Sequence, residues 1–482
     1  MRTLNLLLAA IATALFFVAP PAAAAPPNIL LIFTDDLGWK DLGYQGTDFY
    51  ETPNIDRLAT QGMVFTAGYA GAGNCSPSRA CLLSGQYTPR HGVYAVGNTK
   101  RGPVELMRMK PIPNTDSLAT KNVLVAEALK AAGYATGHFG KWHVGSEKFG
   151  TGPSDQGFDV TMDKNHKGTG AHDDPKAVHT ITQAACRFME ENKDRPFFAY
   201  VAHHAIHVPL QARQTTLGRF TAKKAGSQHK DPLYAGCLSD LDTGVGTLLA
   251  KLHELGLDER TLVVFTSDNG GTGASSQEPL RGNKGCYYEG GIREPFIVRW
   301  PGVVKPGTRC DVPVINVDLY PTFLAAAGAS APAEKVLDGE SLLPLLKGEG
   351  QLSRSSLFWH FPGYLDEPVT RGRDAVFRTR PVSVINRDHW KLLLYHEEWQ
   401  LDGGRKALAT NNAVELYNLR DDIGERTNLA SINIEKRDAM LDELLQWFGR
   451  TEAKLPSEKN PKYAPDAAPP AKKKRRKEDS VD

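Results

Sequence analysis

Apolar residues in this chain fall into two patterns: short unbroken runs, and longer stretches where they recur every three or four positions. The unbroken runs are Asn28 to Thr34 (NILLIFT), Tyr134 to Phe139, Pro196 to Ala202 (PFFAYVA) and Thr261 to Thr266 (TLVVFT). Each is too short for a buried helix, and the absence of alternation predicts strands covered on both faces. Phe296 to Trp300 predicts a further strand before the turn at Pro301-Gly302. Between them, Val123 to Ala132 and Leu238 to Leu255 have helical spacing, and each stops at a glycine, Gly133 and Gly256. Strands alternating with helices predict an α/β fold with a large, mainly parallel central sheet flanked by helices.

The pattern changes after about residue 330. Ser330 to Gly350 is rich in Ala, Pro, Gly and Glu and predicts a loose connection. Beyond it, Val382 to Tyr395 and Val414 to Leu419 predict a smaller antiparallel sheet, with Ile434 to Phe448 as a helix packed on it. The expected organisation is a large domain over 25–345, a C-terminal subdomain over 346–453, and a disordered basic tail over 454–482. At the other end, Arg2, the apolar run Leu4 to Val18, Pro20-Pro21 and Ala22 to Ala25 have the order of a secretory signal peptide, residues 1–24. The run is shorter than the roughly 20 residues of a spanning helix, so export to a periplasm or the medium is expected, without stable membrane insertion.

Composition narrows the chemistry. With 57 basic against 55 acidic residues the net charge is +2, so anion binding must be local. Six cysteines in 482 residues do not make a disulfide framework, and at most two bridges are expected.

In open α/β sheets ligands bind beyond the carboxyl ends of the strands. Four predicted strands run into reactive groups there: Asp35-Asp36, Lys141 with His143, His203 with His204 and His207, and Asp268-Asn269. Asp35, Asp36, Asp268 and Asn269 together offer only oxygen, the donor set of a hard cation, with Ca2+ favoured over Mg2+ by the mixed carboxylate and amide ligands. In Cys75-Ser76-Pro77-Ser78-Arg79, Pro77 fits the first turn of a helix. Cys75 is thereby expected at a helix N-terminus, where free N–H groups attract an anion, with Arg79 one turn on.

Cys75-x-Pro77-Ser78-Arg79 followed by Leu83-Ser84-Gly85 resembles the signature of the formylglycine-dependent type I sulfatases of the alkaline phosphatase superfamily. Supporting matches are Gly140-Lys141-Trp142-His143, His207-Val208-Pro209, Ser267 to Gly270, Arg281 to Gly285, Glu289 to Arg293 and the stretch Asp422 to Ala430. The resemblance spans Asn28 to Leu419 and implies that a maturation enzyme oxidises Cys75 to formylglycine. The hydrated aldehyde, a gem-diol, then attacks sulfur through one oxygen and expels sulfate through the other. It further implies metal ligation by Asp35, Asp36, residue 75, Asp268 and Asn269, charge stabilisation by Arg79, Lys141 and Lys284, proton removal from the diol by His143, and protonation of the leaving alcohol by His207 with Lys284.

The leaving-group pocket is expected partly from the C-terminal subdomain, where the stretch Trp359 to Tyr364 and Arg371 to Arg380 offer aromatic and basic groups. His360, Arg378, Asn98 and His166 are the candidate substrate contacts, and a sulfated carbohydrate is the favoured substrate class. A phosphomonoester, phosphodiester or phosphonate monoester hydrolase of the same superfamily, or an inactive glycan-binding homologue, are the alternatives. The basic run Lys472 to Lys477 resembles a nucleic-acid patch, but behind a signal peptide no nucleic-acid partner is expected.

Overall fold

The computed structural model describes residues 26–468. The expected signal peptide and the basic run at 472–477 lie outside them.

The central sheet has eight strands: β1 (Asn28–Thr34), β2 (Met63–Phe65), β3 (Ala135–Gly140), β4 (Val160–Met162), β5 (Phe197–Ala202), β6 (Thr261–Ser267), β7 (Phe296–Arg299) and β8 (Thr308–Cys310), in the order β8-β2-β7-β6-β1-β5-β3-β4. From β6 through β1, β5 and β3 to β4 every pairing is parallel. β7 is antiparallel to both β6 and β2. The sheet is therefore mixed at one end, where the three-residue strands β2 and β8 are too short to stand out as apolar runs. Leu30 and Ile32 enter the core on one face, and Ile29, Leu31 and Phe33 the core on the other. Covering both faces is what makes the run NILLIFT unbroken. Helices α1 (Cys75–Ser84), α2 (Val125–Ala131), α3 (Val178–Glu191) and α4 (Pro232–Glu254) belong to the layers on the sheet. α4 starts six residues earlier than its apolar spacing predicts, because Asp231 caps Leu233 N and Tyr234 N and Pro232 occupies the first turn.

The C-terminal subdomain is the antiparallel sheet β9 (Ser356–Phe361), β10 (Val382–Arg387), β11 (Trp390–Tyr395) and β12 (Val414–Asn418), packed against α5 (Ile434–Thr451). The single apolar stretch Val382 to Tyr395 is a hairpin. Asp388 and His389 turn it with φ of 51° and 65°, the left-handed pair that a two-residue hairpin loop needs. Two other expectations change. Asp338, inside the stretch expected to be loose, accepts from Tyr87 N at 2.9 Å and from Arg90 Nε at 2.8 Å. Residues 454–468 do not behave as a disordered tail but lie as a strap along 104–110: Lys110 N donates to Glu458 O at 2.9 Å, and Asn460 Nδ2 donates to Val104 O and Met107 O at 2.8 Å. Asn460 satisfies backbone carbonyls that composition could not reveal. All six cysteines are free, and no described helix is long and apolar enough to cross a membrane.

Candidate active site

The parallel strands β6, β1, β5 and β3 are consecutive neighbours, so their carboxyl ends open on one edge of the sheet. That edge carries Asp35 and Asp36 after β1, Asp268 and Asn269 after β6, His207 on the loop after β5, and Lys141 and His143 after β3. The loop ends are locked together: Asp268 N donates to Thr34 O at 3.1 Å, Asp35 N to Ala205 O at 3.0 Å, and Lys141 N to Ala202 O at 2.7 Å. Gly140 is required at its place, since φ is +104° and a Cβ would stand 2.0 Å from Ala202 O. Asp36 and His143 hold φ of 64° and 63°. For residues other than glycine this is local strain, the kind retained where side-chain direction matters.

Cys75 is the first residue of α1, all ten residues of which are buried, with Pro77 in the first turn and Gly85 closing the helix at φ 66°. Its Sγ lies 3.9 Å from Asp36 Oδ1. Ligand atoms of Asp35, Asp36, Cys75 and Asp268 all fall within 4.8 Å of one another. Arg79 donates to Asp268 Oδ2 from Nε at 3.0 Å and from Nη2 at 2.7 Å, and its Nη1 donates to Lys141 O at 3.0 Å.

The cluster has two sides. Lys141 Nζ donates to Asp35 Oδ2 at 2.8 Å, and His143, two residues on, is influenced by Lys141 more than by any other charge. Lys284 Nζ lies 2.8 Å from Asp36 Oδ1, and His207 Nε2 3.7 Å from Asp36 Oδ2. His207 is oriented by its other nitrogen, Nδ1, which donates to Val208 O. Lys284 is positioned by backbone bonds on both sides, its N donating to Gly271 O at 2.9 Å and Gly285 N to Gly73 O at 2.7 Å.

Burial opposes charge on all three carboxyls, and their cationic neighbours decide the outcome. Lys141, His207 and Arg79 overcome it at Asp35, which is held well below the usual carboxylate range, and Lys284 does so at Asp36. Asp268 is pushed up to about 7, by burial and then by repulsion from Asp35, despite Arg79. Burial pushes the Cys75 thiol up as well, so it is a poor thiolate nucleophile as it stands. His143 is held well below its usual range by burial, then by Lys141 and Arg79, and is therefore neutral. Asp35 Oδ1 and Asn269 Oδ1 are buried with no hydrogen-bond partner. Two orphaned oxygens among crowded carboxylates fit a hard cation, and His207 borders the cluster, with a ring nitrogen, a carboxylate oxygen of Asp35 and Cys75 Sγ all within 4.8 Å of one another.

The comparisons with known proteins decide the family. Residues 27–329 match the sulfatase family model, and residues 282–447 match the model described as N-sulphoglucosamine sulphohydrolase, C-terminal. The chain belongs to the type I, formylglycine-dependent sulfatase family. It is a sulfuric ester hydrolase with the alkaline phosphatase-like fold. A sulfatase of Formosa agariphila is 34% identical over 84% of this chain and 85% of its own length. Human arylsulfatase A is 34% identical over 83% of both. Among solved structures, Ps i-CgsB in complex with k-i-k-neocarrahexaose has a TM-score of 0.70 at 28% identity, covering 88% of this sulfatase and 92% of that chain.

The candidate substrate contacts are divided by the structure. Arg378 borders the site: its Nη1 donates to Lys284 O at 3.2 Å, and Glu367, mostly exposed, is its ion-pair partner at 3.3 Å. His166 stacks on His172 at 4.2 Å between centroids, on a loop that Gln211, four residues past His207, holds through the carbonyls of residues 166–168. Asn98 lies on an exposed turn, where its Oδ1 accepts from Lys100 N at 2.9 Å. His360 is a correction. It is 1% exposed, with Nδ1 bonded to Ser383 Oγ at 2.7 Å and Nε2 to Lys454 O at 3.1 Å, so neither nitrogen is left for a substrate. An inward position on β9 places it in the subdomain core, and the aromatic residues around it marked a core. Tyr200, whose hydroxyl is 3.5 Å from Arg79 Nη1, and Gly73 were not legible as site residues, one lying inside an apolar strand and the other acting through its carbonyl.

Proposed function

We propose that this sulfatase hydrolyses sulfate monoesters of carbohydrates after conversion of Cys75 to formylglycine, with Ca2+ held by Asp35, Asp36, Asp268 and Asn269. The observation that supports this best is the placement of residue 75 among three carboxylates, Asp35, Asp36 and Asp268, each paired with a cation, Lys141, Lys284 and Arg79. As formylglycine, residue 75 would supply, once hydrated, the oxygen that displaces the alcohol from sulfur, and would expel sulfate on returning to the aldehyde. The cation would lower the proton affinity of that oxygen and offset repulsion between two anions.

The protein's own groups do the rest. Arg79, Lys141 and Lys284 surround the position of the sulfuryl oxygens and stabilise charge on the group in transfer. On the Asp36 side, His207 and Lys284 deliver a proton to the departing alcohol oxygen. Opposite them, neutral His143 accepts the proton released when sulfate departs. Arg378, bonded to Lys284 O, borders the leaving-group side, and with His166 it is the proposed contact to the sugar. The match to the sulfatase model over residues 27–329 supports a sulfate ester rather than a phosphate ester as the substrate group. The signal-peptide pattern of residues 1–24 supports export, and the maturation enzyme is the implied protein partner.

Paired aryl sulfate and aryl phosphate or phosphonate esters, assayed with the matured protein, test this reading. Sulfate release is expected to exceed phosphate release by at least about 100-fold in kcat/KM, about 2.7 kcal/mol of differential transition-state binding. Preferential phosphate or phosphonate release would overturn it in favour of the phosphoester alternatives.

A further inference from the structure

We propose that the C-terminal subdomain takes part in catalysis through a buried clamp, Lys391 gripped between Glu289 and Glu425, which fixes where Lys284 stands. The inference rests on the reading of Lys284 as a donor to the leaving alcohol.

Lys391 comes from β11 and Glu425 from the loop after β12, whereas Glu289 belongs to the large domain. Lys391 Nζ is 2.8 Å from Glu289 Oε1 and 2.9 Å from Glu425 Oε1, and the side chains of all three residues are 0% exposed. The other oxygens are used too. Glu289 Oε2 accepts from Arg293 Nε at 2.6 Å and from Tyr69 OH at 3.0 Å, and Glu425 Oε2 accepts from Glu289 N at 2.7 Å. Buried ion pairs are poor sources of stability, because desolvation cancels most of their attraction. What they supply is a fixed geometry, and here the fixed element is the backbone at Glu289.

From there the path to Lys284 is backbone against backbone. Gly290 N donates to Arg281 O at 2.8 Å, and Gly270 N to Gly291 O at 3.0 Å. A Cβ on Gly270 would stand 2.0 Å from Gly290 O, so no side chain cushions the contact. Arg281 is held to the subdomain as well, its Nη1 donating to Tyr417 OH at 2.9 Å and to Glu425 O at 3.2 Å. Lys284 follows three residues later, bonded to Gly271, and reaches Asp36. Lys391, Glu425 and Glu289 touch no reacting atom on this account. They are positioning residues, and Lys284 is the group they position.

A misplaced Lys284 has a signature that general loosening lacks. A nitrophenolate departs without help, whereas a sugar alkoxide needs its proton, so the defect grows as the leaving group worsens. Lys391→Met and Glu425→Gln are therefore compared with the parent enzyme on nitrophenyl sulfate and on a monosaccharide sulfate, with melting temperature and Cys75 conversion measured on each preparation. In each variant the fall in kcat on the sugar sulfate is expected to exceed the fall on nitrophenyl sulfate by at least about tenfold, the shared part reflecting Lys284's action on the sulfuryl group and the excess a weakened general acid. Equal losses on both esters, or none on either, would overturn the clamp. If Lys391→Met does not fold, Glu425→Gln carries the test, since it keeps the side-chain shape and leaves Lys391 paired with Glu289. A parent enzyme that releases no sulfate from either ester would overturn the sulfatase reading instead, whatever the variants do.

Discussion

At the residue scale, the same side-chain types serve opposite ends, and burial with bonding partners separates them. His143 and His207 sit on the carboxylate edge with strained or pinned geometry, while His360 and His138 are enclosed in the two domains. Burial holds His360 and His138 down to about 4. An unfolded histidine titrates near 6.5, so the folded values are depressed. The neutral rings therefore keep their full stability contribution above about pH 6.5 and lose it as pH falls toward about 4, at about 1.4 kcal/mol per pH unit for each histidine. Unfolding free energy is expected to drop steeply between pH 6.5 and 5, and His360→Gln should flatten that slope by its own share. Denaturant titrations of both proteins at several pH values check this, and identical slopes would show that His360 does not stay neutral when folded. The cation-ligand candidates were legible from sequence because each follows directly on an apolar run. His360 misled because an aromatic, histidine-bearing strand reads the same whether it lines a cleft or a core.

At the element scale, the long central strands and the helix bearing Cys75 follow from local rules: unbroken apolar runs, Pro77 in a first turn, glycines at helix ends. What local rules missed was held by distant partners. The hairpin at Asp388-His389 lacks a glycine to mark it, and the strands β2 and β8 are stabilised by pairing alone. The strap 454–468 reads as disordered because its bonds come from carbonyls about 350 positions away. Truncation before residue 454 removes those bonds and the acceptor of His360 Nε2, each hydrogen bond contributing about 1 kcal/mol. A loss of about 2–4 kcal/mol is expected for that truncation. Deleting 466–482 should leave turnover of a small aryl sulfate unchanged. A large loss of turnover in the shorter deletion would place an essential contact beyond residue 465.

At the scale of the whole molecule, the active edge is assembled from segments between residues 35 and 284, and the C-terminal subdomain closes over it through Arg378 and the buried ions at Lys391. Sequence showed which residues were chemically unusual and which family pattern they fit. It could not show that Lys141 faces Asp35 while Lys284 faces Asp36, an arrangement set by strand order. Nor could it show that Glu289 is tied to the subdomain. The account depends on residue 75 being chemically remade, since burial holds its thiol in the protonated, weakly nucleophilic form. Mass analysis of the peptide containing residue 75, from protein made in a maturation-competent host and treated with a hydrazide, tests this directly. An aldehyde at that position, trapped as its hydrazone in the active fraction, is the predicted result; an intact thiol in protein that still hydrolyses sulfate esters would contradict it.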